Sequence, residues 1–316
     1  MIRVEWYEMV NELQGYRVCH PTLEHALGVT DLVALCDVEE MGEPDITLSD
    51  VLDMWKSIPI DTNAWIVHTS TNELIGYGFV EETGADRMDT CVFVHLRYKG
   101  LGIGTVLLQK VEERAKVLAK GKPGKQRLMN QLPFTNMAAR NLVKNRGYHF
   151  CRLYERMKIV LEKQPQMTLL PEGVILKTFR PDVDEEALYS IYDETFRDAW
   201  GYSKKDATTW IAQKKGDGYD PSLWYIVWQN SFPVGFLMSR MQEDGLFIDL
   251  LGVKKEYRKH GIGKAMLQYV FGAAYERKQK TIILYVDSDS LTNANRLYQQ
   301  VGMDIHSQTA LYMKEI

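Results

Sequence analysis

The stretch EYRKHGIGKAM, residues 256–266, sets Gly261 and Gly263 between two apolar runs. The strand-like run LFIDLLGV (246–253) comes before it, and the helix-like run KAMLQYVFGAAYERK (264–278) follows. Where a strand gives way to a helix, the first helical amides have no partner and favour an anion. Glycine in such a turn lets a phosphate reach the backbone where a Cβ would collide. The stretch therefore reads as a diphosphate cradle. A Walker A loop would need glycine at 258 and Ser or Thr at 265, but Arg258 and Ala265 stand there. A dinucleotide fingerprint would need a third glycine at 266, which is methionine.

The same device occurs earlier, in RYKGLGIGTVL at 97–107. Setting Gly261 on Gly102 and Gly263 on Gly104 brings other features into near-register. Each half opens with a strand-like piece, YRVCHP (16–21) and VILKTFRP (174–181). A helix-periodic run follows in each, 22–37 and 182–196, and Asp182 with Glu185 resembles a capping box. Second helices are expected after Thr47 and Ser203, then two strands around the turns Thr71-Asn72 and Gln229-Asn230. A strand, the glycine turn, a long helix, another strand, a short helix ending in Gly147 or Gly302 and a last strand close each unit. The pattern predicts a duplicated α/β (α+β) fold with domains at 1–161 and 174–316, joined by a linker at 162–173.

Composition fits a soluble globular chain of 316 residues, 45% hydrophobic and 25% charged. A net charge of −4 argues against nucleic-acid binding. No run approaches the roughly 18 apolar residues of a membrane span, and the N-terminus lacks the apolar core of a signal peptide. Cys19, Cys36, Cys91 and Cys151 are scattered without a CxxC, and the seven histidines do not cluster. Neither a metal site nor a disulfide framework is expected, and a reduced, cytoplasmic protein is the default.

The run from Val253 through Arg258, Gly261 and Gly263 resembles the Arg/Gln-x-x-Gly-x-Gly/Ala signature of the GNAT acyltransferase superfamily. NANRLYQQVGM (293–303) is similar to that family's A-x-x-L-Y-x-x-x-G-[FM] helix, with Ala294, Leu297, Tyr298 and Gly302 in register. The tandem arrangement looks like that of mycothiol-synthase-type double GNAT proteins and covers nearly the whole chain. The resemblance implies two GNAT domains, each a mixed, mostly antiparallel sheet flanked by helices, with its fourth and fifth strands splayed to admit acyl-CoA. It implies that the diphosphate belongs to acetyl-CoA and that the chain is an N-acetyltransferase. Amides and side chains of Arg258, Lys259, His260, Gly261, Ile262, Gly263 and Lys264 would hold the pyrophosphate. The strand end at Leu251 and Val253 would pair with the pantetheine arm.

By the same resemblance Tyr298 is the acid that protonates the departing thiolate. A hydroxyl titrating near 10 keeps its proton at neutral pH until one is needed. Val143 stands at that place in the first half. The family's Asn position is filled there by Asn136, whereas the second half offers Ser290, with Asn293 displaced by two. The first-half turn survives as Val94, Lys99, Gly100, Leu101, Gly102, Ile103 and Gly104, a possible second cofactor site in a degenerate domain. Asp249 is the candidate base, because a lone acid in an apolar strand needs a partner. Strand alternation sets it on one face with Val253. Glu243, Asp244 and Asp287 are fallbacks.

The acceptor, a small-molecule or peptide amine, is expected beside Trp200, Tyr202, Trp210, Tyr219 and Trp224, with Asp198 or Asp220 holding its cationic form. Core packing explains the same aromatics. Two rival readings are an aminoacyl transferase using charged tRNA, supported by the basic run 114–127, and an acyl-CoA sensor without turnover. Two fused domains can satisfy internally the pairing that single domains seek by dimerising, so a monomer is expected.

Overall fold

The first helix-periodic run forms a 3-10 turn (Leu23–His25) leading into α1 (Ala26–Met41), which buries Val29, Leu32, Val33 and Cys36 along one side. The structure is a computed structural model and describes residues 13, 15–216, 218–242, 245–290, 292 and 294–316. At Thr47 the expected helix start is present. The Thr47 hydroxyl accepts the Asp50 amide while the Asp50 carboxylate accepts the Thr47 amide, opening α2 (Leu48–Ser57). A single turn, α3 (Ile60–Asn63), then leads into the sheet.

The chain forms two compact units, Met1–Leu153 with Gln308–Ile316, and Tyr154–Ser307. In the first, β1 (Tyr16–Cys19), β2 (Ala64–Thr69), β3 (Leu74–Gly84) and β4 (Arg87–Val94) are antiparallel neighbours. The long helix α4 (Ile103–Ala119) then returns the chain so that β5 (Arg127–Pro133) lies parallel to β4. Next come α5 (Met137–Asn145) and β6 (His149–Val160). The second unit repeats the plan with β7 (Val174–Thr178), α6 (Glu185–Phe196), α7 (Ala207–Lys214), β8 (Trp224–Gln229), β9 (Phe232–Gln242) and β10 (Gly245–Val253). It continues with α8 (Ile262–Glu276), β11 (Thr281–Asp287), α9 (Ala294–Gln300) and β12 (Asp304–Glu315). As in the first unit, only the β10–β11 pair is parallel.

Each sheet has helices on both faces. In the second unit α8 buries Met266, Leu267, Val270 and Phe271 against Leu246, Ile248 and Leu284. On the opposite face, α6 and α7 set Leu188, Ile191, Trp210 and Ile211 against Phe236 and Met238. The capping box expected at Asp182 does not form. Asp182 has φ +65°, α6 starts at Glu185, and the Asp184 carboxylate is taken by the backbone and guanidinium of Arg180.

The unit boundaries differ from a break at 162–173. β6, from the first repeat, pairs antiparallel with β11, and β12, from the second, pairs with β5. Charge explains the placement of β12. Glu112 of α4 is 2% exposed, and a buried carboxylate is costly without partners. Arg146 bonds it at 2.6 Å and Lys314 of β12 at 3.1 Å. Ala310, Leu311 and Tyr312 are buried beside them. No helix among the described residues is long and apolar enough to cross a membrane.

A fragment of residues 1–161 therefore lacks one strand of its own sheet. Each large buried side chain of β12 contributes about 1.5–3 kcal/mol. The fragment should show no cooperative denaturant transition by circular dichroism, whereas the full chain should. A cooperative transition at the full chain's midpoint would contradict the exchange.

Candidate active site

The two glycines of 261–263 serve different ends. Gly261 is the N-cap of α8 at φ +81°, and a Cβ there would meet nothing within 4 Å. Its conformation, which costs other residues about 1–2 kcal/mol, turns the strand into the helix and leaves the amides open. Gly263 instead answers a packing demand. A Cβ on it would lie 2.9 Å from Leu297 Cδ2 on α9, the helix that carries Tyr298. Gly263 thus has a packing role beside α9 that the sequence-based reading did not include, and Gly261 has none.

Among the described residues no side chain caps α8, which leaves its first amides open to an anion. Lys259, at φ +66°, and His260 are exposed, and Lys264 is half-buried. Among the described residues no carboxylate pairs with Arg258, Lys259 or Lys264. Arg258 Nε donates to the Val253 carbonyl at 2.8 Å, which holds the guanidinium across the strand end.

In front of this turn the sheet opens. β10 and β11 pair only through Leu246–Ile282, Phe247–Ile283 and Ile248–Leu284. Beyond Ile248 the β11-side edge of β10, including Leu251 and Val253, has no strand partner among the described residues. The break coincides with a β-bulge, since Ser239 of β9 faces Ile248 and Met238 faces Leu250, leaving Asp249 as the extra residue. The expectation that Asp249 and Val253 share a face is therefore overturned. One added residue reverses the alternation. Leu251 and Val253 join the α8 core, whereas Asp249 turns to the α7 side. There its carboxylate lies 3.5 Å from Arg240 Nη2. Burial raises the Asp249 pKa, and the charges of Arg240 and Lys214 oppose that rise.

Tyr298 is 7% exposed within the α8-side core, where burial pushes its hydroxyl up to about 12. Ser290 lies in the turn between β11 and α9 and bonds Thr292 at 2.9 Å. Asn293, Glu243 and Asp244 lie outside the described residues. Among those described, no three His, Cys, Asp or Glu side chains are placed to hold a metal.

The first unit keeps the turn, with Gly102 at φ +84° and likewise uncapped by any side chain. Its surroundings differ. Glu40, near the end of α1, lies 3.6 Å from Lys99 Nζ and accepts the Asn136 amide. Asn136 is further committed as N-cap of α5 through Ala139. The Cys36 thiol donates to the Val94 carbonyl at 3.6 Å. β4 has no bulge opposite the one in β10. Thr90, the counterpart of Asp249, is 1% exposed and bonds the Met129 carbonyl and the Asn130 amide of β5. Val143, at the tyrosine place, is buried in the core.

The expected aromatic pocket is mostly interior. Trp210 and Trp224 are 3% and 2% exposed, and Tyr219 packs on Trp224 with ring centroids 4.9 Å apart. Tyr202 donates to Asp193, and Asp220 caps the 3-10 turn Pro221–Leu223. Trp200 is half-buried and Asp198 exposed. A separate cavity of about 450 Å³, lined by Met167, Tyr225, Tyr269, Gly272 and Arg277, shares no residue with the glycine turn. Sequence reasoning missed Arg240, Lys214 and Glu40. A usable signal existed for Arg240, a lone cation in the apolar strand opposite the lone acid of LFIDLLGV.

A helix N-terminus opening beside a broken parallel strand pair, met twice in one chain, is the arrangement of a tandem acyl-CoA-dependent transferase. The model of the Acetyltransferase (GNAT) family matches residues 34–148 and 185–303, and the chain belongs to that family. It is an acyltransferase. It is 25% identical over 268 residues to a mycothiol acetyltransferase of Catenulispora acidiphila, covering 80% of this chain and 82% of that one. A mycothiol acetyltransferase of Thermobispora bispora is 26% identical over 250 residues, 77% and 81% of the two chains. Among solved structures, a GCN5-related N-acetyltransferase from Sphaerobacter thermophilus matches with TM-score 0.86, 28% identity and 96% coverage of both chains. A tandem GNAT protein from the clavulanic acid biosynthesis pathway shares the fold, with TM-score 0.70 and 15% identity over 95% of this chain and 98% of that one.

The acidic side of α1 makes the first unit sensitive to pH. Burial pushes Asp37 up to about 6, with Asp45 and Glu40 adding to the rise against the hydrogen bond from the Asp45 amide. The unfolded chain releases this proton near 3.9. The folded unit thus holds more protons between about 4 and 6, and its stability falls as pH rises through that window. Asp37→Asn removes the fall and can still accept the Asp45 amide. Its denaturation midpoint should exceed that of the natural protein at pH 7.5, with the gap narrowing towards pH 4.5. A gap independent of pH would contradict this assignment.

Proposed function

We propose that the chain transfers an acetyl group from acetyl-CoA to a primary amine of a small molecule or peptide, with the chemistry in the second unit. The uncapped α8 N-terminus beside the open edge of β10 carries this reading. The amides from Arg258 to Lys264 hold the diphosphate, and Arg258, Lys259 and Lys264 offset its charge. The β10 edge beyond Ile248 pairs with the amide-bearing pantetheine arm. Asp249, on the α7 side of the bulge, takes a proton from the incoming ammonium. The freed nitrogen attacks the thioester carbonyl; the C–N bond forms, the C–S bond breaks, and Tyr298 protonates the departing sulfur. Its raised pKa keeps that proton in place until the thiolate appears.

The first unit serves as scaffold in this proposal. Glu40 sets a carboxylate among the groups that would receive a phosphate, and Val143 has no proton to give. The name shared by the relatives points to a mycothiol-related amine as one acceptor within the class. Four free cysteines suit a reducing, cytoplasmic setting.

Replacing Tyr298 by Phe preserves the ring and removes the proton. The expected result is a kcat lower by roughly 10²–10⁴ in a thiol-release assay, with acetyl-CoA affinity unchanged by calorimetry. An unchanged kcat would remove Tyr298 from the mechanism.

A further inference from the structure

The charges around Asp249 do not balance. Arg240 lies directly across from Phe247 in the β9–β10 ladder, its guanidinium carbon 5.2 Å above that ring. Tyr285 of β11 continues the aromatic floor, 5.9 Å from Phe247 and 45% exposed. Lys214, the last residue of α7, is half-buried above the same face, and burial together with Arg240 lowers its pKa. Among the described residues its ammonium has neither a hydrogen bond nor an ion pair. Arg240 has a single long contact with Asp249, and its Nε is buried without a partner. Two cations therefore share one carboxylate on a partly desolvated surface, where unpaired charge is costly.

Among the described residues, three nearby acids are engaged elsewhere. Asp193 bonds Tyr202 and Arg197, Glu194 pairs with Lys254 at 2.9 Å, and Asp220 faces Arg277 at 3.7 Å. Among the described residues, what remains beside the strand break is one carboxylate and two under-paired cations over a half-open aromatic floor. That pattern is complementary to a zwitterion, whose ammonium meets Asp249 while its carboxylate meets Lys214 and the exposed edge of Arg240.

We propose that the acceptor is a small amino acid, its amine directed to Asp249 and its carboxylate held by Lys214 and Arg240. The inference rests on the transferase reading above and narrows its substrate class. The ammonium loses two protons overall, one to Asp249 and the other to solvent water as the tetrahedral adduct collapses. The acetyl carbon exchanges sulfur for nitrogen, and Tyr298 supplies the sulfur's proton before recovering one from water. The products are an N-acetylamino acid and free coenzyme thiol.

The test is thiol release from acetyl-CoA by the full chain. The acceptors are the common α- and ω-amino acids, their carboxamides, and amines without a carboxylate. The expected result is a preferred amino acid whose carboxamide has at least tenfold lower kcat/KM. Lys214→Met, which keeps length but not charge, should raise KM for the acid at least tenfold, change that for the carboxamide little, and leave acetyl-CoA affinity intact by calorimetry. Arg240→Gln should act in the same direction. Turnover of amines without a carboxylate in preference to amino acids would overturn the proposal and leave the transferase standing. So would acetyl-CoA binding without turnover of any amino acid, or equal losses on acid and carboxamide. Failure of the folded chain to bind acetyl-CoA would remove the transferase reading itself.

Discussion

The separation of β10 from β11 after three residue pairs governs the second unit. A parallel pair with one open edge leaves backbone donors and acceptors unused, a liability unless a ligand pairs with them. The bulge at Asp249 falls where the ladder ends. The extra residue bends the strand and directs a carboxylate away from the α8 core towards α7. Gly261 then turns the freed strand into α8, so an amide-rich helix start lies at the far end of the same edge. Gly263 lets α9 approach α8, and that approach sets Tyr298 in the same core. Open edge, helix start and buried hydroxyl thus trace to one strand break and two glycines.

The two units keep the same turn and differ in what surrounds it. In the first, Thr90 bonds across to β5 where Asp249 bulges in the second. Glu40 occupies Lys99 and Asn136. Val143 fills the place of Tyr298 with an apolar side chain. The parallel pair also ends early in the first unit, after Thr90–Asn130, so the differences lie elsewhere: a bulged acid, anion complementarity and proton supply. The proposed division into scaffold and reaction centre rests on these differences, which leave the fold unaltered. The exchange of β6 and β12 shows that the first unit also takes one strand of its sheet from the second repeat.

The repeat and both glycine turns were legible because a positive φ and a helix start constrain residue type strongly. The strands were legible from their period-two alternation, and the helix after Thr47 from its apolar periodicity. The bulge was not, since an extra residue in an apolar strand leaves no mark in its composition. That is why Asp249 was set on the wrong face. The strand exchange was equally hidden, because β6 and β12 read as ordinary last strands and the contacts that favour the crossed pairing, such as Lys314 on Glu112, form only in the tertiary structure. The tryptophans at 210 and 224 are core residues, as their apolar neighbours in sequence allowed. Lys214 and Glu40 gain meaning only from contacts across the tertiary structure.

The central claim is a single acyl-CoA site in the second unit, and calorimetric titration of acetyl-CoA into the folded full chain tests it most directly. The account predicts one molecule bound per chain, lost in Gly261→Val and retained in Gly102→Val, with circular dichroism showing both variants folded. Two molecules per chain, or a single site lost with Gly102 rather than Gly261, would contradict it.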